Sequence, residues 1–404
     1  MSRDPPPPGL AVAAALACGT AVSLGLARFS YALLLPAMRA DLGWSYFTAG
    51  AMNTVNAAGY LAGALAAPWL MQEIGARAAL LAATAATALA LAAHGLVASD
   101  AALYALRFVS GLVSAPSLIA GAVLAAGVAG AASTASAGRP TLSPGLVLGM
   151  YYGGTGIGIV AAALLVPMLG DPAAHRAWQT SWLGLGAAGA LATVLIALGT
   201  QRGEEPSGRV AAKGGGARFQ WRPFAPALLA YLLFGLGYIG YMTFVVTLLR
   251  ERALGSGVIT AFYAMLGVAV IASSWIWAGM LQRFRGGESL AILNALLAVA
   301  TLLPLVSAMP LAVFASGLLF GAVFLSLVTS TTALIRHNLA PPSWPAAISA
   351  FTVLFALGQI VGPALVGFVA DRFGGLGPGL ACSAAVLALG ALAATRQKAL
   401  PVSR

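Results

Sequence analysis

The strongest constraint on this chain is a series of long apolar segments that carry almost no charge. Each of the twelve segments is long enough to cross a bilayer as a helix, which takes about 20 residues. Only 8% of the 404 residues are charged, too few to cover the surface of a soluble domain. The sequence therefore predicts an all-α membrane protein with twelve transmembrane helices. The predicted spans are 10–37, 47–70, 77–98, 101–128, 143–168, 178–199, 224–249, 256–281, 289–307, 309–335, 345–370 and 378–395.

The distribution of Lys and Arg predicts how the chain is oriented. Of these 21 residues, fourteen lie on the side of both termini, five lie on the opposite side, and Arg28 and Arg107 fall within spans. Because positively charged connections stay in the cytoplasm, we expect both termini there and the protein in a bacterial inner membrane. The same bias accounts for the net charge of +11. The positive charge therefore does not indicate nucleic-acid binding, and we expect the lipid bilayer as the partner.

The longest polar segment divides the chain near its middle. Residues 200–222, "TQRGEEPSGRVAAKGGGARFQWR", are glycine-rich, basic and without apolar periodicity, which is typical of a flexible linker. We therefore predict an N-terminal six-helix bundle over 1–199, a cytoplasmic linker over 200–222 and a C-terminal six-helix bundle over 223–404.

Recurring glycine pairs indicate that the two halves are duplicated. Gly25 and Gly43 recur 212 residues later as Gly237 and Gly255. Gly154 and Gly158 recur 204 residues later as Gly358 and Gly362. Such halves are typical of transporters that rock about a central site.

The fourth predicted helix carries a motif with a family resemblance. Its sequence "LYALRFVSGLVSA" places Arg107, Gly111 and Ala115 in the pattern L-x-x-x-R-x-x-x-G-x-x-x-A. This pattern resembles the helix-four motif of the major facilitator superfamily. "GLARFSYALLLP" in helix one and "FGLGYIGYMTF" in helix seven are similar to the bacterial YbfB/YjiJ family. The resemblance implies the major facilitator fold, with two pseudo-symmetric six-helix bundles, and the transport of a small solute.

Two departures from the superfamily pattern leave the direction of transport open. The loop after helix two reads "PWLMQEIGAR" and keeps only Gly75 and Arg77 of the usual G-x-x-x-D-R-x-G-R-R. The gating charge network of that motif is therefore not carried over. The Gly-Pro pair that ends helix five in antiporters is found instead in helix eleven, at Gly362-Pro363.

Arg28 lies deep within the first apolar span. Eleven residues separate it from Arg39, or about 16 Å of helix, which is half of a hydrocarbon core of roughly 30 Å. Its side chain is too short to reach water fully from this depth. Two roles fit Arg28: contact with a substrate or coupling ion, and structural pairing with carbonyls. The same two roles fit Arg107, about 10 Å beyond Asp100 by the same helical rise.

Other polar side chains complete the predicted substrate site. Tyr31 is three residues from Arg28, and Asn53, Asn56 and Tyr60 form one stripe of helix two at spacings of three and four. Amides are costly in lipid, so this stripe should face inward, either to bind neighbouring helices or to contact substrate. The predicted substrate-binding residues are Arg28, Tyr31, Asn53, Asn56, Tyr60, Arg107, Tyr238, Tyr241, Thr243 and Gln359.

The distribution of acids predicts the charge of the solute. No Asp or Glu falls within a predicted span, so the two intramembrane arginines have no acidic partner there. Because guanidinium groups bind carboxylates and phosphates through paired hydrogen bonds, we expect an organic anion as the solute. Protons are a candidate coupling ion, and we expect a monomer. The alternative is an exporter of amphiphilic or drug-like compounds.

Other classes of protein fit the sequence less well. A membrane-embedded enzyme would need a nucleophile with its base, or metal ligands, within the spans. The sequence contains no such set, so we expect neither catalysis nor a metal or other cofactor. A receptor or assembly protein is a further class, which solute uptake by liposomes containing the pure protein would exclude.

Overall fold

The computed structural model describes residues 8–134, 143–170, 176–201 and 219–400. Within these ranges the chain forms α-helices, one π-helical segment and two short 3-10 turns, and contains no strand. The all-α prediction is confirmed. The helices are α1 Pro8–Thr20, α2 Tyr31–Leu42, α3 Tyr46–Ile74, α4 Ala76–His94, α5 Asp100–Thr134, α6 Pro144–Leu169, α7 Ala177–Gly199, α8 Ala225–Glu251, α9 Ser256–Ile276, α10 Ala278–Arg283, α11 Glu288–Val306, α12 Pro310–Asn338, α13 Trp344–Arg372 and α14 Leu376–Thr395.

Most of these helices are suited to cross a membrane. In the described part of the chain, eleven helical segments are long and apolar enough to do so. One of them, Gly9–Leu42, contains α1, the π-helical segment and α2 in succession. The remaining predicted span, 47–70, corresponds to α3, which has 29 residues. This helix is not among the eleven segments.

The described residues form two compact units. One unit contains the described residues of Met1–Ser30 and Gly59–Ala211, and the other contains those of Tyr31–Ala58 and Ala212–Arg404. The segment from α2 to the middle of α3 therefore groups with helices that come much later in the sequence. The division into bundles over 1–199 and 223–404 stays a prediction, and most of the linker lies outside the described residues.

In the first unit, α6 packs against α1 and the π-helical segment. Two glycines allow this close approach. A Cβ atom added at Gly154 would lie 2.1 Å from the Ala17 carbonyl oxygen, and one added at Gly158 would lie 2.2 Å from the Ala21 carbonyl oxygen. Any larger residue would therefore separate these backbones. The two glycines fix the position of the π-helical segment against α6.

The second unit repeats this packing between α8 and α13. A Cβ atom added at Gly358 would lie 2.3 Å from the Leu232 carbonyl oxygen, and one added at Gly362 would lie 2.4 Å from that of Leu236. The partner carbonyls are again four residues apart. The pair Gly154 and Gly158 and the recurring pair Gly358 and Gly362 therefore have the same packing role in the two units.

Candidate functional site

Arg28 is a buried cation that lacks a polar partner for most of its guanidinium group. Its side chain is only 4% exposed. The Arg28 Cζ atom lies 5.2 Å from the centroid of the Tyr60 ring, which gives a cation–π contact. Among the described residues, neither Nε nor Nη2 of Arg28 has a hydrogen-bond partner. Burying such donors is costly unless a ligand binds them.

The segment that carries Arg28 is a π-helix over Ala21–Phe29. At its end the Ser30 amide donates to the Gly25 carbonyl, five residues back, at 3.0 Å. The Ser30 hydroxyl donates to the carbonyl of Leu26. π-Helical segments are rare in proteins, and those that occur are often found at functional sites. The sequence predicted a continuous span here and gave no sign of the wider turn.

Arg107, which lies in α5, forms a hydrogen bond to the π-helical segment. Its Nη1 donates to the Ala27 carbonyl at 3.2 Å, directly before Arg28. A second contact between the same elements is made by the Ser23 hydroxyl, which donates to the Ser114 carbonyl at 2.7 Å. Arg107 therefore has a backbone partner in this structure, and its contact with substrate stays a prediction.

In the second unit, α3 contacts α8 through two of the predicted site residues. Asn53 Nδ2 donates to Thr243 Oγ1 at 2.7 Å. The Thr243 hydroxyl in turn donates to the Ile239 carbonyl. Asn56 is also buried. The two amides of α3 thus face protein, as expected from the cost of placing them in lipid.

A second pair of predicted residues joins α13 to α8. Gln359 Nε2 donates to the Tyr238 hydroxyl, and both side chains are buried. The Tyr238 ring belongs to a column of six rings whose neighbouring centroids are 4.7 to 6.0 Å apart. This aromatic column consists of Phe351, Tyr231, Phe355, Phe234, Tyr238 and Phe324.

Two tyrosines of the predicted substrate site form hydrogen bonds to residues of neighbouring helices. The Tyr31 hydroxyl donates to the Ala49 carbonyl at 2.9 Å, which joins α2 to α3. The Tyr241 hydroxyl lies 2.6 Å from Ser316 Oγ. Since Ser316 donates its own hydrogen to the Ala300 carbonyl, Tyr241 is the donor in that pair.

The predicted residues are therefore brought together in small groups. Arg28, Tyr60 and Arg107 lie in the first unit, and the other seven lie in the second. Three of the pairs in contact are Arg28 with Tyr60, Asn53 with Thr243, and Gln359 with Tyr238. Their roles in binding a solute stay predictions.

The sequence did not reveal a polar cluster at the start of α3. Arg39, Tyr46, Glu251 and Asp371 form this end cluster, in which the hydrogen-bonded partners are 205 to 325 residues apart in sequence. Its charged members were counted only as charges in connections between spans. Arg39 and Glu251 are separated by the same 212 residues as the recurring glycines, but no spacing links Tyr46 or Asp371 to them.

Three solved structures with a similar fold are those of membrane transporters. A bacterial homologue of the human lysosomal transporter Spinster, inward-facing and unoccupied, has a TM-score of 0.70 and 15% identity, with 97% of this chain and 96% of that chain covered. The nucleoside transporter NupG has a TM-score of 0.67 and 15% identity, with 96% and 99% covered. The human organic anion transporter MFSD10 (TETRAN) has a TM-score of 0.63 and 16% identity, with 96% and 99% covered.

These similarities are ones of fold, and the predicted fold class is confirmed. The chain belongs to the family described as uncharacterised MFS-type transporter YbfB, whose family model matches residues 20–395. The predicted family resemblance is confirmed as well. No curated protein matches the sequence.

Proposed function

We propose that this transporter moves a small organic anion across the bacterial inner membrane by alternating access. Arg28 binds the anionic group of the solute. The observation that carries the proposal is the buried Arg28 guanidinium, whose Nε and Nη2 have no hydrogen-bond partner among the described residues.

The chemistry of Arg28 favours an anion over other ligands. An arginine stays protonated throughout the physiological range, so loss of a proton does not relieve the cost of its burial. A carboxylate, sulfonate or phosphate supplies both the opposite charge and acceptors for paired N–H donors. Proton coupling, where it occurs, then runs through the solute or water, because the predicted spans contain no carboxylate.

The names of the structural neighbours do not identify the solute of this transporter. They include a transporter of nucleosides and one of organic anions, and at 15% and 16% identity this likeness is one of fold alone. The proposal rests on Arg28 and its surroundings.

A second candidate function is the export of amphiphilic or drug-like compounds, which the aromatic column supports. Beside the column is a cavity of about 100 Å³, lined by residues that include Tyr231, Thr331, Phe351 and Thr352. Rings and hydroxyl groups together suit a compound with apolar and polar parts. Arg28 distinguishes the two functions, because its charge attracts anions and repels amphiphilic cations.

The anion proposal predicts the outcome of a competition assay in proteoliposomes. A panel of carboxylates, sulfonates and phosphates should contain compounds that inhibit uptake, whereas neutral and cationic compounds of similar size should not inhibit it. Inhibition should weaken as the pH falls through the pKa of the competing acid, since Arg28 keeps its charge. Inhibition by neutral or cationic compounds alone would show that the anion proposal is wrong.

The orientation proposal predicts the behaviour of a topology reporter. Both termini and residues 200–222 are proposed to be cytoplasmic, from the distribution of Lys and Arg. An alkaline phosphatase fused after Gly215 should therefore be inactive, because this enzyme folds only outside the cytoplasm. A matched fusion after Gly255, on the opposite side of the membrane, should be active. The reverse pattern would invert the proposed orientation.

A further inference from the structure

Asp371 supplies a helix cap to α3 from a distant part of the chain. Asp371 is near the end of α13, and its Oδ1 and Oδ2 accept from the amides of Tyr46 and Phe47 at 2.9 and 2.8 Å. These are the first two amides of α3, which have no partner within the helix. The Ser45 hydroxyl accepts from the third amide, that of Thr48, at 3.1 Å. A carboxylate is also stabilised by the positive end of the helix dipole.

Glu251 adds a second link at the same place. It is the last residue of α8, and its Oε1 accepts from the Tyr46 hydroxyl at 2.5 Å and lies 3.5 Å from Arg39 Nη1. The Arg39 Cζ atom lies 3.8 Å from the centroid of the Tyr46 ring. Two acids of the later sequence thus bind three residues that flank the connection between α2 and α3, namely Arg39, Tyr46 and Phe47.

Beneath the end cluster, α3 and α13 approach backbone to backbone. A Cβ atom added at Gly50 would lie 2.1 Å from the Pro363 carbonyl oxygen, and one added at Gly367 would lie 2.2 Å from that of Tyr46. The Thr54 hydroxyl donates to the Ile360 carbonyl at 2.6 Å. From Tyr46 to Thr54 the contact therefore extends over about two helical turns.

We propose that the end cluster is a latch that holds α2 and α3 against α8 and α13 in this conformation and opens once in each transport cycle. A contact built from glycine backbones buries no large side chain on the glycine side, so its separation exposes little apolar surface. The Arg39 and Glu251 side chains are 31% and 35% exposed, and water replaces such an ion pair at little cost. The glycine contact between α3 and α13 is therefore specific in register and exposes little apolar surface when it separates.

Asp371 is the positioning residue of this latch, because it binds two backbone donors of α3. On the proposed orientation the end cluster lies at the outer face, so its opening admits solute from, or releases it to, the outside. The inference needs only the transporter class, which the family shows, and not the anionic solute.

The test is the reactivity of a thiol placed beneath the latch. Ala49 is 0% exposed and lies one turn into α3. Ala49→Cys is introduced into a protein with Cys18→Ser and Cys382→Ser, and a maleimide is applied to the protein in nanodiscs. Asp371→Asn should increase the labelling rate about tenfold, which corresponds to about 1.4 kcal/mol. Glu251→Gln should increase it by a smaller factor, and it serves as the second variant if Asp371→Asn does not fold.

Two controls separate opening of the latch from general loosening. Arg372→Gln changes the adjacent exposed residue of α13 and should leave the labelling rate unchanged. A thiol introduced by Ala162→Cys, at a buried position in α6, should stay equally unreactive with and without Asp371→Asn. Unchanged labelling at position 49 in both latch variants, or a rise at both thiol positions, would overturn the proposal.

Discussion

Arg28→Ala is expected to reduce solute uptake in proteoliposomes to the background rate while the amount of membrane-inserted protein stays at the wild-type level. A hydrogen bond to a charged group contributes about 1.5–3 kcal/mol. Losing a paired contact of two such bonds should therefore lower solute affinity by roughly a hundredfold or more. Insertion should not suffer, because removing a buried charge lowers the cost of placing this helix in lipid.

A conservative variant and an exposed arginine complete the experiment. Arg28→Lys should restore little uptake, since lysine keeps the charge but lacks the planar pair of donors. Arg336→Ala removes an exposed arginine at the end of α12 and should leave uptake near the wild-type rate. Wild-type uptake by Arg28→Ala would make Arg28 a structural residue and remove the basis of the anion proposal.

Gly158→Val is expected to cause a large loss of stability. Even a Cβ atom at this position would lie 2.2 Å from the Ala21 carbonyl oxygen, and Gly158 itself borders Gly25 on the π-helical segment. The obstructing atoms belong to backbone, so no change of rotamer can relieve the overlap. Overpacking typically costs about 1–3 kcal/mol, and a backbone obstruction should reach at least the upper end. The yield of monodisperse protein and its melting temperature in detergent should both fall.

Gly145→Val is the matched control on the same helix. A Cβ atom at Gly145 meets nothing within 4 Å, and the residue is exposed near the start of α6. Its melting temperature should equal that of the unmodified protein. Equal melting temperatures for Gly158→Val and the unmodified protein would contradict the tight packing of α6 against the π-helical segment.

The sequence predicted those features that depend on local composition. The predicted span 178–199 differs by one residue from α7, Ala177–Gly199, because apolar runs end where polar residues begin. Asn53 and Asn56 are buried, as expected from the high cost of amides in lipid. Gly154 and Gly158 also have packing roles that match those of Gly358 and Gly362, since only glycine permits backbones to approach so closely.

Other features depend on atoms far apart in the sequence and could not be predicted. Placing Tyr31 beside Arg28 assumed regular α-helical geometry, which the π-helical segment does not have, and the Tyr31 hydroxyl binds the Ala49 carbonyl instead. The contact between Gln359 and Tyr238 joins residues 121 positions apart. Pairing of this kind is fixed by how helices pack and not by any local pattern.

The cap that Asp371 provides for α3 has a consequence for biosynthesis. The ribosome makes Asp371 325 residues after Tyr46. At a synthesis rate of about 5–20 residues per second, roughly 16 to 65 s pass between the two. During this time the first two amides of α3 have only water and lipid headgroups as partners. The hairpin of α2 and α3 therefore enters the membrane without its helix cap. The cap forms only after α13, which carries Asp371, has left the ribosome.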